Sequence, residues 1–204
     1  MAGPWSTARA IPRSPRRSVR VCSADDRRHG TVGTILSIMG VFASSIAHGC
    51  LVTLGYADKL CHGIPADSFS RMPFKDMNSA AFNIGHLSIY PARMAALIGH
   101  EGTISNPEGW EDLFKAGAPC VDAGTYPMKD ALIAHYRASH QKVAELLTEL
   151  DDAVLAGPNP AEGALKERFP VLGQAVLFLC NNHQMMHLGQ VSAWRRAMGL
   201  GSAM

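Results

Sequence analysis

The chain has 204 residues, of which 47% are hydrophobic and 18% are charged, a balance that excludes a disordered protein and allows one domain with a substantial core. Its net charge of +2 is unevenly placed, because residues 1–30 carry seven arginines and two acids while the rest carries twelve basic and fifteen acidic residues. The larger part is therefore mildly acidic, which argues against a nucleic-acid-binding surface.

The N-terminal region is rich in Arg, Pro and Ser and lacks the periodicity of a buried helix. We expect residues 1–38 to be a disordered basic extension, or to precede a natural start at Met39, and residues 39–204 to form the folded domain. Residues 31–57 contain no Asp, Glu, Lys or Arg, which also allows a membrane span or a signal peptide. Several glycines and His48 dilute this run, so we favour an ordinary first helix and no membrane partner.

Apolar periodicity, caps, prolines and glycines predict four long helices and no competing strand. Asn78 or Ser79 caps the second helix, Pro127 suits the first turn of the third, and Arg195 and Arg196 complement the dipole at the end of the fourth. Residues 102–127 hold three prolines and four glycines and are expected to form a long surface connection. The pattern predicts an all-α protein, an antiparallel four-helix bundle with long loop connections. The expected helices span 40–62, 79–99, 127–152 and 171–198, with a short piece at 161–168.

Two histidines in the fourth helix carry the main functional signal. His183 and His187 are four residues apart, so they project from one helix face. Two buried imidazoles cost desolvation energy unless they are hydrogen-bonded or bound to a metal, and both interpretations remain open. The same face, which is expected to turn toward the core, carries Val176, Leu179, Met186, Gln190, Val191 and Trp194.

A third histidine, His86, lies in the middle of the apolar face of the second helix. Three histidines from two facing helices are able to bind one metal ion and to leave positions for water or substrate. Hydrogen-bonded core histidines are the structural alternative. The expected core face of the second helix consists of Ser79, Phe82, Asn83, His86, Ile89, Tyr90, Met94 and Leu97.

The remaining histidines of the predicted helices fall into two groups. His135 shares a face of the third helix with apolar residues, so it is expected to contact the site or to make a core hydrogen bond. His62, His100 and His140 lie near polar faces or helix ends and are expected to be solvated.

The five cysteines are odd in number and form no Cys-x2-Cys pair, which favours free thiols in a reducing compartment and a cytoplasmic protein. Cys180 is expected to be a small buried residue and not a ligand. The sequence contains no His-Glu-x-x-His, no Glu-x-x-His, no Gly-rich phosphate loop and no Gly-x-Ser-x-Gly.

The motifs Asn83-Ile-Gly-His-Leu87 and Phe178-Leu-Cys-Asn-Asn-His-Gln-Met-Met-His-Leu-Gly-Gln190, followed by Ser192-Ala-Trp-Arg-Arg196, resemble the DinB-like superfamily. This resemblance implies a four-helix bundle, often homodimeric, that binds a divalent metal, zinc or nickel before iron or manganese. One histidine of the second helix and two of the fourth would bind the metal. The matching positions are His86, His183 and His187.

The resemblance also implies a reaction. Related proteins include transferases and isomerases in which a low-molecular-weight thiol such as bacillithiol, mycothiol or glutathione is held as a thiolate and attacks a small electrophilic substrate. As hypotheses, Tyr90 or His135 orients the substrate or passes a proton, and Asn83 and Gln190 hydrogen-bond the metal-bound imidazoles. A polar core contact is the alternative for each of these four residues and is favoured for Gln190. A non-catalytic, stress-associated metal-binding protein with a closed site is the alternative.

Overall fold

The computed structural model describes residues 40–121 and 124–203. Regular structure in these residues is helical apart from an isolated bridge between Pro158 and Val171, which confirms the predicted all-α fold. The predicted extension, residues 1–38, lies outside the described residues. The helices are α1 (Val41–Cys61), α2 (Ala80–Ser88), α3 (Tyr90–Leu97), α4 (Trp110–Phe114), α5 (Lys129–Thr148), α6 (Asp152–Leu155), α7 (Ala164–Arg168), α8 (Leu172–Leu177) and α9 (His183–Ala197), with a 3-10 turn at Ala66–Ser68 and a π-helical segment at Phe178–Asn182.

The long helices share one apolar core. α1 packs against α5 and α9, and α2 packs against the same two helices. Because α2 and α9 lie side by side, the two segments that carry the predicted ligands face each other.

The first turn of α1 is capped by a distant carboxylate. Asp152, at the start of α6, accepts hydrogen bonds from the backbone N–H groups of Phe42 at 3.1 Å and Ala43 at 2.8 Å. A carboxylate in this position satisfies donors that have no partner within the helix and interacts favourably with the helix dipole. Asp152 therefore fixes the start of α1 to the segment that leads into α7 and α8.

α2 begins as predicted and its expected core face is buried. The Ser79 hydroxyl accepts a hydrogen bond from the N–H of Phe82 at 3.1 Å, which identifies Ser79 as the N-cap. The prediction of one continuous helix over 79–99 is wrong, however, because the helix is interrupted at Ile89 between α2 and α3.

The interruption follows from Pro91. Proline has no backbone N–H, so it cannot donate to the carbonyl of Leu87 one turn earlier. The Leu87 carbonyl instead lies 3.1 Å from Nε2 of His140 on α5, which acts as the replacement donor. The prediction that His140 is solvated is therefore wrong, since its side chain is 0% exposed.

The fourth predicted helix has nearly the expected limits but is not a uniform α-helix. The π-helical segment between α8 and α9 adds a residue to one turn, which shifts the buried face by about one position. Met186 and Gln190 are therefore exposed, contrary to the prediction. The buried face of α9 includes His183, Gln184, Leu188, Val191, Trp194 and Arg195.

Two other predicted boundaries change. α5 ends at Thr148, short of the predicted 152, because the Asp151 carboxylate accepts the N–H of Ala153 and begins a separate turn, α6. The predicted surface connection at 102–127 contains α4, whose aromatic residues Trp110 and Phe114 are buried. The two aromatic side chains pack into the core. The glycines and prolines around them are typical of a surface loop, so the sequence pattern did not predict this helix.

Arg195 lies in the last turn of α9, as predicted, and has a further role that the prediction did not include. Its side chain is buried and donates to the carbonyls of Leu60 at 2.7 Å and His62 at 2.9 Å. These carbonyls lie at the C-terminal end of α1, so Arg195 joins the ends of α1 and α9. Arg196, also in the last turn, donates a hydrogen bond to Ser192 on its own helix.

None of the helices within residues 40–121 and 124–203 combines the length and the apolar character that crossing a membrane requires.

Cys180 is buried against Met94, as expected for a small core residue.

We expect the substitution His140→Ala to lower the free energy of unfolding by about 1–3 kcal/mol, because it removes the ring donor from the buried Leu87 carbonyl. In a Pro91→Ala background, the same substitution should lower the free energy of unfolding by less, because the restored N–H at position 91 can donate to the Leu87 carbonyl. Urea denaturation followed by circular dichroism measures both effects.

The exposed His48→Ala serves as the matched control and should change stability by less than about 0.5 kcal/mol. Equal losses for His140→Ala with and without Pro91 would contradict this account of the helix break.

Candidate metal centre

Three histidines converge between α2 and α9. Each of His86, His183 and His187 offers one ring nitrogen such that all three atoms lie within 4.8 Å of one another. The Nε2 atoms of His86 and His183 are 3.3 Å apart. Two nitrogen ligands of a tetrahedral zinc ion with bonds of about 2.0–2.1 Å are separated by about 3.3 Å. The spacing of this pair is therefore that of two ligands to a shared ion.

His86 is oriented by a backbone carbonyl. Its Nδ1 lies 2.7 Å from the carbonyl oxygen of Phe114, at the end of α4. A carbonyl only accepts hydrogen bonds, so Nδ1 carries the proton and Nε2 keeps its lone pair. The connection that was expected to be a surface loop thus fixes the tautomer of one candidate ligand.

His187 is oriented by side-chain amides. Its Nδ1 lies 3.0 Å from Oδ1 of Asn83 and 3.1 Å from Oε1 of Gln190. The amide nitrogen of the buried Asn83 donates to the carbonyl of Ser79 at 3.0 Å, which turns Oδ1 toward the ring. Nδ1 of His187 is therefore the donor, and Nε2 is left as the acceptor.

His183 has no such partner. Its Nδ1 is buried and makes no hydrogen bond in the described part of the chain. Its ring is enclosed by Tyr90 and Phe178, with centroid distances of 4.5 Å and 5.8 Å. A buried imidazole nitrogen without a partner is costly in a protein interior, and the other ring nitrogen, Nε2, is the one that faces His86 and is available to an ion.

Burial keeps the three imidazoles uncharged. Desolvation lowers the pKa of His183 to about 3, with the neighbouring rings of His187 and His86 as further causes. Desolvation also lowers the pKa of His187 to about 4 and lowers the pKa of His86, although the Phe114 carbonyl opposes the shift at His86. Because the neutral imidazole is the form that binds metals, the donor set fits a divalent ion at neutral pH.

Tyr90 lies directly beside the histidines. Its ring centroid is 5.0 Å from that of His86, and the Arg93 guanidinium lies 4.9 Å from the Tyr90 ring. Burial raises the pKa of Tyr90, although Arg93 opposes the shift, so the hydroxyl is protonated at neutral pH. Arg93 also forms an ion pair with Glu111 of α4.

His135 is reached from Tyr90 through a chain of polar contacts. Its Nε2 lies 3.4 Å from Oδ1 of Asn106, and the Asn106 amide donates to Glu111 at 2.6 Å, which pairs with Arg93. Within residues 40–121 and 124–203, the metal-type cluster does not include His135. Desolvation lowers its pKa, so this imidazole is also neutral.

Several groups around the site were missed in the sequence. The Phe114 carbonyl is a backbone atom and leaves no side-chain pattern, and the contacts of Asn106 and Glu111 depend on how α4 folds back. Arg93 was detectable, because it lies one turn after Tyr90 and therefore shares its face of the helix.

Gly85 permits the close approach of α4 to α2. A Cβ atom at position 85 would overlap the ring of Phe114, which is 0% exposed. The backbone carbonyl of Phe114 orients the imidazole of His86. The orientation of His86 therefore depends on the absence of a side chain at Gly85.

The fold and the site together define an all-helical protein with three convergent histidines that are able to hold a metal ion. Residues 53–191, more than half of the chain, match the family model of the DinB superfamily. The chain belongs to this superfamily, which confirms the resemblance inferred from its motifs. No curated protein matches the chain.

We expect Gly85→Ala to weaken zinc binding about 10–100-fold, because the added methyl group displaces Phe114 and its hydrogen bond to His86. Competition with a chromophoric chelator measures the affinity. The matched control is Gly55→Ala on α1, where an added Cβ meets no atom within 4 Å and should leave zinc affinity unchanged. If Gly85→Ala binds zinc as tightly as the unmodified protein, the proposed dependence of His86 on Phe114 is wrong.

Proposed function

We propose that this protein binds a divalent metal through His86, His183 and His187 and acts as a transferase that uses a low-molecular-weight thiol on a small electrophilic substrate. The observation that carries the proposal is the convergence of three neutral imidazoles, with ligand atoms within 4.8 Å, on two adjacent helices. Membership of the DinB superfamily supports it independently.

The donor set favours some metals over others. Three imidazole nitrogens suit zinc, nickel and iron, of which we favour zinc and nickel, and manganese is a weaker candidate because it prefers oxygen ligands. Three protein ligands leave at least one coordination position for an exchangeable group, as in catalytic zinc sites.

A bound metal would supply Lewis acidity that lowers the pKa of a thiol and keeps its sulfur as the nucleophilic thiolate. The protein itself has to orient the metal-binding imidazoles and to exclude water from the site. Phe114 and Asn83 hold His86 and His187 with Nε2 toward the shared point. Gln190 gives His187 a second acceptor and has the lesser role, because its side chain is exposed.

Two residues are proposed to act on the substrate. We propose that Tyr90, whose ring contacts those of His86 and His183 and whose hydroxyl is protonated at neutral pH, donates a hydrogen bond or a proton to the substrate. His135, neutral and joined to Arg93 through Asn106 and Glu111, is proposed to assist by orienting this network or by accepting a proton.

The proposal extends to architecture and assembly. We propose that α1, the α2–α3 pair, α5 and the α8–α9 unit form the antiparallel four-helix bundle of the family. We further propose a cytoplasmic homodimer whose partners are a small substrate and a thiol.

One observation favours the alternative function, a non-catalytic protein that holds its metal tightly. His86 and His183 are buried, with exposed fractions of 5% and 8%.

Cobalt substitution tests the proposal and separates it from the alternative. The metal-free protein is titrated with Co²⁺ and followed by its visible absorption, and a thiol such as glutathione is then added. We expect one cobalt per chain and, on thiol addition, a new near-ultraviolet band from sulfur-to-cobalt charge transfer. This band arises only when sulfur binds the metal directly.

The double variant His183→Ala/His187→Ala should lose both signals. A second double variant, His48→Ala/His62→Ala, removes two exposed histidines and should keep them. Cobalt binding without a thiol band would contradict the transferase and favour the non-catalytic protein. No cobalt binding would contradict the metal site itself.

A further inference from the structure

A cavity of about 350 Å³ lies beside the histidine cluster. Four of its lining residues are exposed, so it opens to solvent, while two phenylalanine rings are partly buried and form its walls. Its size is at the lower end of the range for small-molecule sites. The lining consists of Arg168, Phe169, Gln174, Leu177, Phe178 and Asn182.

One wall of the cavity is shared with the candidate metal centre. Phe178 begins the π-helical segment, and its ring lies 5.8 Å from that of His183, measured between centroids. Asn182, which also lines the cavity, immediately precedes His183. The π-helical segment thus forms the cavity on one side and leads into a candidate ligand on the other.

The cavity presents one cation on an aromatic surface. The Arg168 guanidinium lies 5.6 Å from the Phe169 centroid and 5.7 Å from the Phe178 centroid, and these two rings stack on each other at 4.8 Å. In the described part of the chain, Arg168 forms no ion pair with a carboxylate. Contact with two aromatic rings restrains the guanidinium group and leaves its N–H groups able to bind an anion.

The composition of the lining indicates the ligand. A single planar guanidinium suits one carboxylate, which it binds through two parallel hydrogen bonds. Phe169, Phe178 and Leu177 suit an apolar body, and the amides of Gln174 and Asn182 add neutral hydrogen-bonding groups at the exposed rim.

We propose that this cavity binds the carboxylate of a small organic molecule through Arg168, with the apolar part of that molecule against Phe169 and Phe178. The proposal rests on the proposed function and deepens it, because the carboxylate belongs to one of the two reactants that meet at His183. That reactant is either the electrophilic substrate or the thiol.

Binding measurements by isothermal titration calorimetry on the zinc-loaded full chain test the proposal. The thiol-free probe is 3-phenylpropionate with its neutral counterpart 3-phenylpropionamide, and the thiol probe is glutathione with its diethyl ester. We expect Arg168→Gln to weaken binding of at least one carboxylate probe about tenfold and to leave its neutral counterpart unchanged. Arg168→Lys should recover part of the loss.

Lys166→Gln is the matched control, because it removes an exposed cation from the same helix, outside the cavity, and should leave every affinity unchanged. An effect confined to 3-phenylpropionate assigns the carboxylate to the electrophile, and an effect confined to glutathione assigns it to the thiol. If both carboxylates bind the Arg168→Gln variant as tightly as the unmodified protein, or if neither binds at all, the proposal is overturned.

Zinc content is measured in the same samples. Normal zinc with no carboxylate binding overturns the cavity proposal alone. Arg168-dependent carboxylate binding by a protein that holds no zinc supports the cavity proposal and contradicts the metal-dependent function.

Discussion

The cost of burying three imidazoles against one another is the physical constraint on which the site depends. His86, His183 and His187 lose their hydration, and protonating any of them would place a positive charge in an apolar interior beside the other two. They are therefore neutral, with Nε2 of two rings 3.3 Å apart. A divalent ion at the shared point would accept the lone pairs of neutral rings, so the three imidazoles could remain close together without any of them gaining a proton.

Two departures from regular helix geometry adjoin this cluster. Ile89 interrupts the helix three residues after His86, where Pro91 removes one backbone donor and His140 replaces it. The π-helical segment Phe178–Asn182 ends directly before His183 and shifts the buried face of α9. π-helical turns within α-helices are frequent at functional sites, and this one also forms a wall of the Arg168 cavity.

The sequence was informative where function depends on side-chain periodicity. The four-residue spacing of His183 and His187 and the position of His86 in an apolar face predicted the helices and the facing surfaces that bring the three rings together. The contacts that backbone atoms make with the site could not be predicted in this way. The carbonyls of Phe114 and Leu87 orient His86 and hold His140, and neither leaves a pattern in the residue types. The π-helical segment was also invisible, since its residues are compatible with an ordinary α-helix.

X-ray absorption spectroscopy at the zinc edge of the zinc-reconstituted protein, measured without added thiol, tests the three-histidine site most directly. We expect three imidazole nitrogens at about 2.0–2.1 Å from the zinc ion, with one or two further light atoms from solvent. A sulfur shell at about 2.3 Å would show that cysteine binds the metal, and a shell with fewer than three imidazoles would show that the triad is incomplete. Either result would contradict the assignment of His86, His183 and His187 as the metal ligands.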